Sequence, residues 1–277
     1  MCTSPLNLSD RTVKCGQCKS CLLEKSATWS ARLTEEFKES TSAYFVTLTY
    51  RDQDALWVDT EEDTVTTLSK RDVQLFMKKL RKFNEKHRRS CDYPIRYYLT
   101  GEYGGKFGRA HYHILLFNAT KEASDRIHQI WDKGRVDVQG MNEKAIRYVS
   151  NYMLTKNIDV PEGIEKPFSL MSRRPGLGAG YIGRNWKHHY DNPEAIHMKT
   201  PSKKQRQLPR YYADKLISDT TKKQFNDNKE KEFEARRKEL YAKAEKACPE
   251  DPLGWIREER KRKSELHYKR KLKNKKL

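Results

Sequence analysis

Alternation at every second position marks residues 44–50 (YFVTLTY), with Tyr44, Val46, Leu48 and Tyr50 on one face and Phe45, Thr47 and Thr49 on the other. β-Branched and aromatic side chains suit a half-buried pleated surface, so the run predicts a strand. Two further strands are predicted at Ile95–Glu102 (IRYYLTGE) and Ala110–Phe117 (AHYHILLF). The glycine-rich stretch YGGKFGR between them has the make-up of a hairpin connection.

Elsewhere the apolar period is helical. Trp29, Leu33 and Phe37 recur along Leu22–Glu39. Ser69 stands as an N-cap before a stripe of Val73, Phe76, Met77, Leu80 and Phe83. Ile127, Ile130 and Trp131 form the apolar face of a helix near 122–133, and Arg135–Gln139 reads as a short extended segment. Asn142 caps a helix expected to run to about Asn157, with Ile146, Val149 and Met153 inward. Residues 51–68 read as an acidic, irregular surface loop. The resulting expectation is an α+β fold, a mainly antiparallel sheet flanked by helices.

Composition limits how far that core extends. Of 277 residues, 36% are hydrophobic and 34% charged, and mean hydropathy is −1.00. The longest purely apolar run is Ile114–Phe117, too short to cross a bilayer, and Met1–Lys14 has no apolar region of a secretory signal. No membrane partner is expected. The 57 Lys and Arg exceed the 38 Asp and Glu by 19 charges, which points to a polyanion such as nucleic acid. Residues 222–277 hold 20 basic and 11 acidic side chains, with Pro249 and Pro252 as breaks and a charged helix expected over Lys229–Ala247. Four segments follow: a cysteine-containing stretch and helix at 1–40, a core at 41–160, an Arg/Gly-rich appendage at 161–221, and a basic tail at 222–277.

Candidate chemistry gathers on the central hairpin. His111 and His113 lie on one face of their strand, because side chains alternate. If the hairpin closes with Glu102 opposite His111, Thr100 lies opposite His113 and the carboxylate joins the imidazoles. Two nitrogens and one oxygen can hold a divalent ion with positions left open. Tyr148, Tyr152 and Lys156 recur every four residues on one helix side, either as packing or as nucleophiles. Cys2, Cys15, Cys18 and Cys21 have spacings suited to Zn²⁺, or Cys15, Cys18 and Cys21 are small residues opening a helix. Ser172–Gly178 (SRRPGLG) is either a phosphate-contacting loop, through Arg173 and Arg174, or a flexible surface loop. His188, His189 and His197 are read as surface histidines.

Together VTLTY, GEYGG…GRAHYH and YVSNY resemble the HUH endonucleases that start rolling-circle replication, and in particular the replication initiators of the gokushovirus branch of the microviruses. CGQCKSCLLEK, LFMKKLRK, SRRPGLG and LPRYY carry the similarity across about residues 2–216. The resemblance implies an RRM-like core with a basic C-terminal extension. His111 and His113 would be metal ligands with Glu102 as the third, for Mg²⁺ or Mn²⁺. Tyr148 and Tyr152 would be the nucleophile pair of the two-tyrosine class. Thr47 and Thr49 would support the site and contact DNA. Asn151 stands where the wider class often has lysine, which leaves that work to Lys156. The implied reaction nicks single-stranded DNA at a viral origin, leaving a 5′-phosphotyrosine link and a free 3′-OH, and later rejoins the strand. Host DNA polymerase and helicase would be partners, in the host bacterial cytoplasm. No nucleotide-binding GxxxxGK[ST] motif is present, so no built-in helicase is expected. Two other readings use the same residues: a noncatalytic nucleic-acid-binding regulator with a cysteine metal site, and a metallohydrolase with water as nucleophile.

Overall fold

The computed structural model describes residues 2–9, 12–61, 63–90, 92–104, 108–152, 160–199 and 205–273. In chain order the first elements are β1 (Leu6–Asn7), β2 (Thr12–Val13), α1 (Lys19–Glu39), β3 (Ala43–Thr49), β4 (Leu56–Asp59), β5 (Thr64–Thr67), α2 (Lys70–His87), β6 (Arg96–Tyr103) and β7 (Ala110–Phe117). Then come α3 (Lys121–Asp125), α4 (Ile127–Ile130), β8 (Val136–Gly140), α5 (Glu143–Asn151), β9 (Phe168–Met171) and α6 (Gly180–Asp191). The last are β10 (His197–Lys199), β11 (Gln205–Gln207), α7 (Arg210–Leu216), α8 (Asp219–Ala247) and α9 (Pro252–Lys273). They form two compact units, one of Arg32–Gly178 and one of Met1–Ala31 with Ala179–Leu277.

The first unit is built on a five-stranded antiparallel sheet in the order β8-β3-β7-β6-β9. Its strands β3, β6, β7 and β8 with the intervening helices trace a β-α-β-β-α-β path, the split βαβ arrangement. The α+β fold expected from the sequence is borne out. One sheet face supplies Val46, Leu48, Leu99, Tyr112, Ile114 and Leu116 to a core shared with Val73, Phe76, Met77 and Leu80 of α2, and with Ala123, Ile127 and Trp131. Fully burying side chains of this size stabilises by about 1.5–3 kcal/mol each, so this layer fixes the strand faces. As expected, Ser69 caps α2, its hydroxyl accepting from the Asp72 amide at 3.1 Å. The Tyr112 hydroxyl accepts from the Ser69 amide at 2.7 Å and lies 3.0 Å from that of Tyr50, so the end of β3 is tied to the start of α2.

Three local expectations need correction. Residues 51–68 are not irregular, because β4 and β5 pair in a hairpin with Val58 opposite Val65. The acidic residues are confined to its turn, and the Thr66 hydroxyl accepts from the Ala110 amide at 2.8 Å, so the hairpin is anchored at the start of β7. The helix expected near 122–133 is two short pieces meeting at Arg126. Ser124 bonds back to the Lys121 carbonyl at 2.8 Å, a local alternative to a continuing helix. Finally, Ser172–Gly178 is not a flexible loop. Leu177 is fully buried, the Ser172 hydroxyl accepts from the Tyr97 amide at 3.1 Å, and the Gly178 amide donates to Glu36 at 2.6 Å. Gly178 has φ +74°, which suits glycine. Glu36 also pairs with Arg96, whose guanidinium donates to the Pro175 carbonyl at 2.9 Å. The sheet takes its fifth strand, β9, from residues beyond 160.

In the second unit Tyr181, Met198, Leu208, Tyr212 and Ile217 form a small core. His189 is a correction to the surface reading: it is 1% exposed, with its Nε2 3.1 Å from the Tyr181 hydroxyl. Burial lowers its pKa and favours the neutral ring. His188 and His197 are exposed. The basic tail is helical, in α8 and α9. Between them Asp251 accepts from the Gly254 amide at 2.8 Å, and Pro252 occupies the first turn, where it needs no amide donor. No helix among the described residues is long and apolar enough to cross a membrane.

Candidate active site and cysteine cluster

The sheet face opposite the α2 layer carries the chemistry. β6 and β7 pair with Glu102 opposite His111 and Thr100 opposite His113, the register expected from the sequence. One Glu102 oxygen lies 2.8 Å from His111 Nε2 and 3.3 Å from His113 Nε2. Glu102 and His113 are buried, and His111 is half-buried. Burial works against the Glu102 carboxylate, yet hydrogen bonds and charge from His111 and His113 bring its pKa below the ordinary value.

The far nitrogens of both rings are held by the frame. His111 Nδ1 is 3.0 Å from the Arg109 carbonyl, and His113 Nδ1 is 3.1 Å from the Thr47 hydroxyl. A carbonyl only accepts, so Nδ1 of His111 carries a proton and a neutral ring turns its Nε2 lone pair toward Glu102. Lone pair against carboxylate is unfavourable at 2.8 Å unless a cation or a second ring proton intervenes. Two imidazole nitrogens and a carboxylate oxygen, all within 4.8 Å of one another, therefore fit a divalent cation, with outer partners that orient each ring.

α5 brings the tyrosines to the same place. Asn142 caps it as expected, accepting from the Ala145 amide at 2.9 Å, and Ile146 and Val149 are buried. The His113 ring has Tyr152 stacked on it at 5.3 Å and 11°, and Tyr148 edge-on at 5.3 Å and 81°. The two phenol rings are 5.0 Å apart, and Phe45 stacks on His113 at 5.4 Å. Burial raises the pKa of both tyrosines. Contact between their hydroxyls lowers Tyr148 and raises Tyr152 further, so Tyr148 is the more readily ionised.

α5 ends at Asn151, which is buried, and Tyr152 forms its C-cap. Met153 and Lys156, expected on the same helix, lie outside the described residues. The Thr49 hydroxyl points to the Arg135 carbonyl at 3.4 Å, whereas Thr47 reaches the site. Arg173 and Arg174 are exposed on the pinned Ser172–Gly178 segment. Sequence reading missed Thr100, whose buried hydroxyl has no hydrogen-bond partner, and the orienting carbonyl of Arg109. The alternation that selects Glu102 also places Thr100 on this face, two residues earlier.

Cys2, Cys15, Cys18 and Cys21 converge at the other unit, their sulfurs within 4.8 Å of one another. Burial pushes the Cys21 thiol up to about 12. Burial opposes ionisation of Cys18 as well, but hydrogen bonds from Ser20 and Thr3 bring it down to about 4. Cys91 lies outside the described residues.

A split βαβ sheet presenting a His–x–His pair, a facing glutamate and a helical tyrosine pair has the make-up of the HUH class that the motifs resemble. Residues 43–157, the sheet and α5 included, match the family model of the replication-associated protein ORF2. The replication-associated protein ORF2 of Spiroplasma virus 4 is 27% identical over 73% of this chain and 66% of its own length. The replication-associated protein VP4 of Bdellovibrio phage phiMH2K is 26% identical over 72% and 66%. The replication-associated protein ORF4 of Chlamydia phage 1 is 26% identical over 51% and 38%. The resemblance to phage replication proteins is borne out, although the match spans just under two thirds of the length of the first two relatives. No solved structure matches the chain significantly.

Proposed function

We propose that the chain initiates rolling-circle replication by nicking single-stranded DNA at a viral origin. The observation that carries this reading is the stacking of both tyrosines on His113, one of the three ligand-type residues on the sheet face. Glu102, His111 and His113 would hold Mg²⁺ or Mn²⁺. When bound, such an ion supplies positive charge to the non-bridging oxygens of the scissile phosphate.

The phenol is the nucleophile. Its oxygen forms a bond to phosphorus, the bond from phosphorus to the 3′ oxygen breaks, and that oxygen leaves with the electron pair and takes up a proton. The products are a 5′-phosphotyrosine link and a free 3′-OH. Host polymerase extends that end while a host helicase opens the duplex, in the host bacterial cytoplasm. Tyr148, the more readily ionised, makes the first attack. Tyr152 cuts the regenerated junction one round later, and the released 3′-OH reverses the first link. No nucleotide is consumed, because the phosphodiester energy is kept in the protein–DNA bond. Thr47 positions His113, and the exposed Arg173 and Arg174 contact the phosphate backbone.

The test is incubation with single-stranded origin DNA and Mn²⁺, against an EDTA control. A denaturation-resistant adduct is expected, absent with EDTA and in the Tyr148→Phe/Tyr152→Phe variant. His111→Ala/His113→Ala abolishes nicking and leaves salt-sensitive DNA binding. Cleavage without an adduct would identify water as the nucleophile and a metallohydrolase. Binding without cleavage of a verified origin would identify a regulator.

A further inference from the structure

We propose that Cys2, Cys15, Cys18 and Cys21 bind one zinc ion, and that this ion holds the N-terminal segment in its fold. The first argument is distance. Cys2 Sγ lies 3.5 Å from Cys15 Sγ and 3.8 Å from Cys18 Sγ. Four sulfurs set tetrahedrally at about 2.3 Å from zinc are about 3.8 Å apart, whereas a disulfide brings two sulfurs to about 2.05 Å. The observed separations match sulfurs sharing a metal.

The backbone around the cluster supports thiolates. The Cys15 amide donates to Cys2 Sγ at 3.4 Å, and the Cys18 amide donates to Cys15 Sγ at 3.3 Å. The second bond requires a sharp turn between Cys15 and Cys18, and Gly16, with φ +73°, provides it. Cys21 sits in the first turn of α1, where the helix end favours negative charge. Amide donors to ligand sulfurs are the outer shell that a thiolate metal site needs.

The third argument concerns what else could hold this segment. β1 and β2 are two residues each, and they pair only Leu6 with Val13 and Asn7 with Thr12. Leu6 is 54% and Leu8 is 49% exposed, so these side chains do not anchor it. So short a hairpin without a buried face is not stable by itself. It serves to turn the chain so that Cys2 meets Cys15, and a metal crosslink is the device small segments use when apolar burial is lacking. Zinc suits four thiolates with no open position and no redox role. The site does not depend on the nicking proposal.

The test uses the full chain, purified under reducing conditions. One zinc per chain is expected by elemental analysis, retained in His111→Ala/His113→Ala and lost in Cys18→Ser. Cobalt exchanged into the unaltered chain should give the visible absorption of tetrahedral cobalt thiolate, a readout that survives any misfolding of the variant. Chelation should open the chain to trypsin after Lys14 and expose the four thiols to alkylation at the rate of Cys248. The proposal is overturned by thiols that alkylate alike with and without zinc, by the mass loss of a disulfide, or by iron with inorganic sulfide.

Discussion

Replacing Arg96 with methionine tests how the sheet unit closes around Ser172–Gly178. Arg96 and Glu36 are 12% and 9% exposed at their side chains, so water screens the pair weakly. Arg96→Met strands the Glu36 carboxylate beside a single amide, that of Gly178, and frees the Pro175 carbonyl. Breaking a buried pair in this way costs about 3–5 kcal/mol. The companion Glu36→Leu change in the same chain removes the stranded charge. What remains is the unpaired Gly178 amide, at about 1–3 kcal/mol, so the double variant should be more stable than Arg96→Met alone. The two compact units make a single global transition an unsafe measure. Denaturant-dependent hydrogen exchange at β6 and β7 amides reads this unit directly. If Arg96→Met costs under about 1 kcal/mol, or the double variant is no better than the single, the pair is not a buried anchor and the reasoning fails.

Three further outcomes follow from the geometry. Thr47→Val removes the hydroxyl 3.1 Å from His113 Nδ1 without changing shape, and should raise the Mn²⁺ concentration for half-maximal nicking by about 10–100-fold. An unchanged midpoint would dismiss Thr47 as a positioning residue. Tyr148→Phe should slow first-round adduct formation more than Tyr152→Phe, measured on a single-turnover origin oligonucleotide; the reverse order would refute the assignment. Burial raises Tyr112 to about 12, so the stability it lends is full below the phenol's unfolded pKa near 10 and is lost as pH rises from there to 12. Alkaline unfolding should therefore lose about 2–3 kcal/mol less over that window in Tyr112→Phe, apart from the constant cost of the lost hydroxyl bonds.

Legibility in the sequence followed periodicity. β7 and its register were readable because apolar alternation leaves one arrangement that buries Tyr112, Ile114 and Leu116, and that arrangement alone sets Glu102 against His111. α2 and α5 declared themselves through caps and stripes. What failed were elements specified by distant partners. β4 and β5 are short and largely exposed, and Thr66 gains its role only by meeting Ala110. Ser172–Gly178 looks like solvent-facing glycine and arginine until Glu36, well over a hundred residues away in the chain, accepts the Gly178 amide. His189 sits in a polar stretch, and its burial depends on Tyr181 one helix face away.

The side chains of the triad and its Thr47 support stand on β3, β6 and β7, the three middle strands, each hydrogen-bonded on both sides. Opening any of them breaks two ladders at once, so their local unfolding draws on most of the unit's global stability. The phenols instead ride on a nine-residue helix that reaches the sheet through ring contacts with Phe45 and His113. The result is an anvil and a hammer. Exchange of one phenol for the other at a phosphate requires a small rotation of the hammer while the anvil keeps its shape, and variation that retunes turnover should accumulate in α5 and spare the strands.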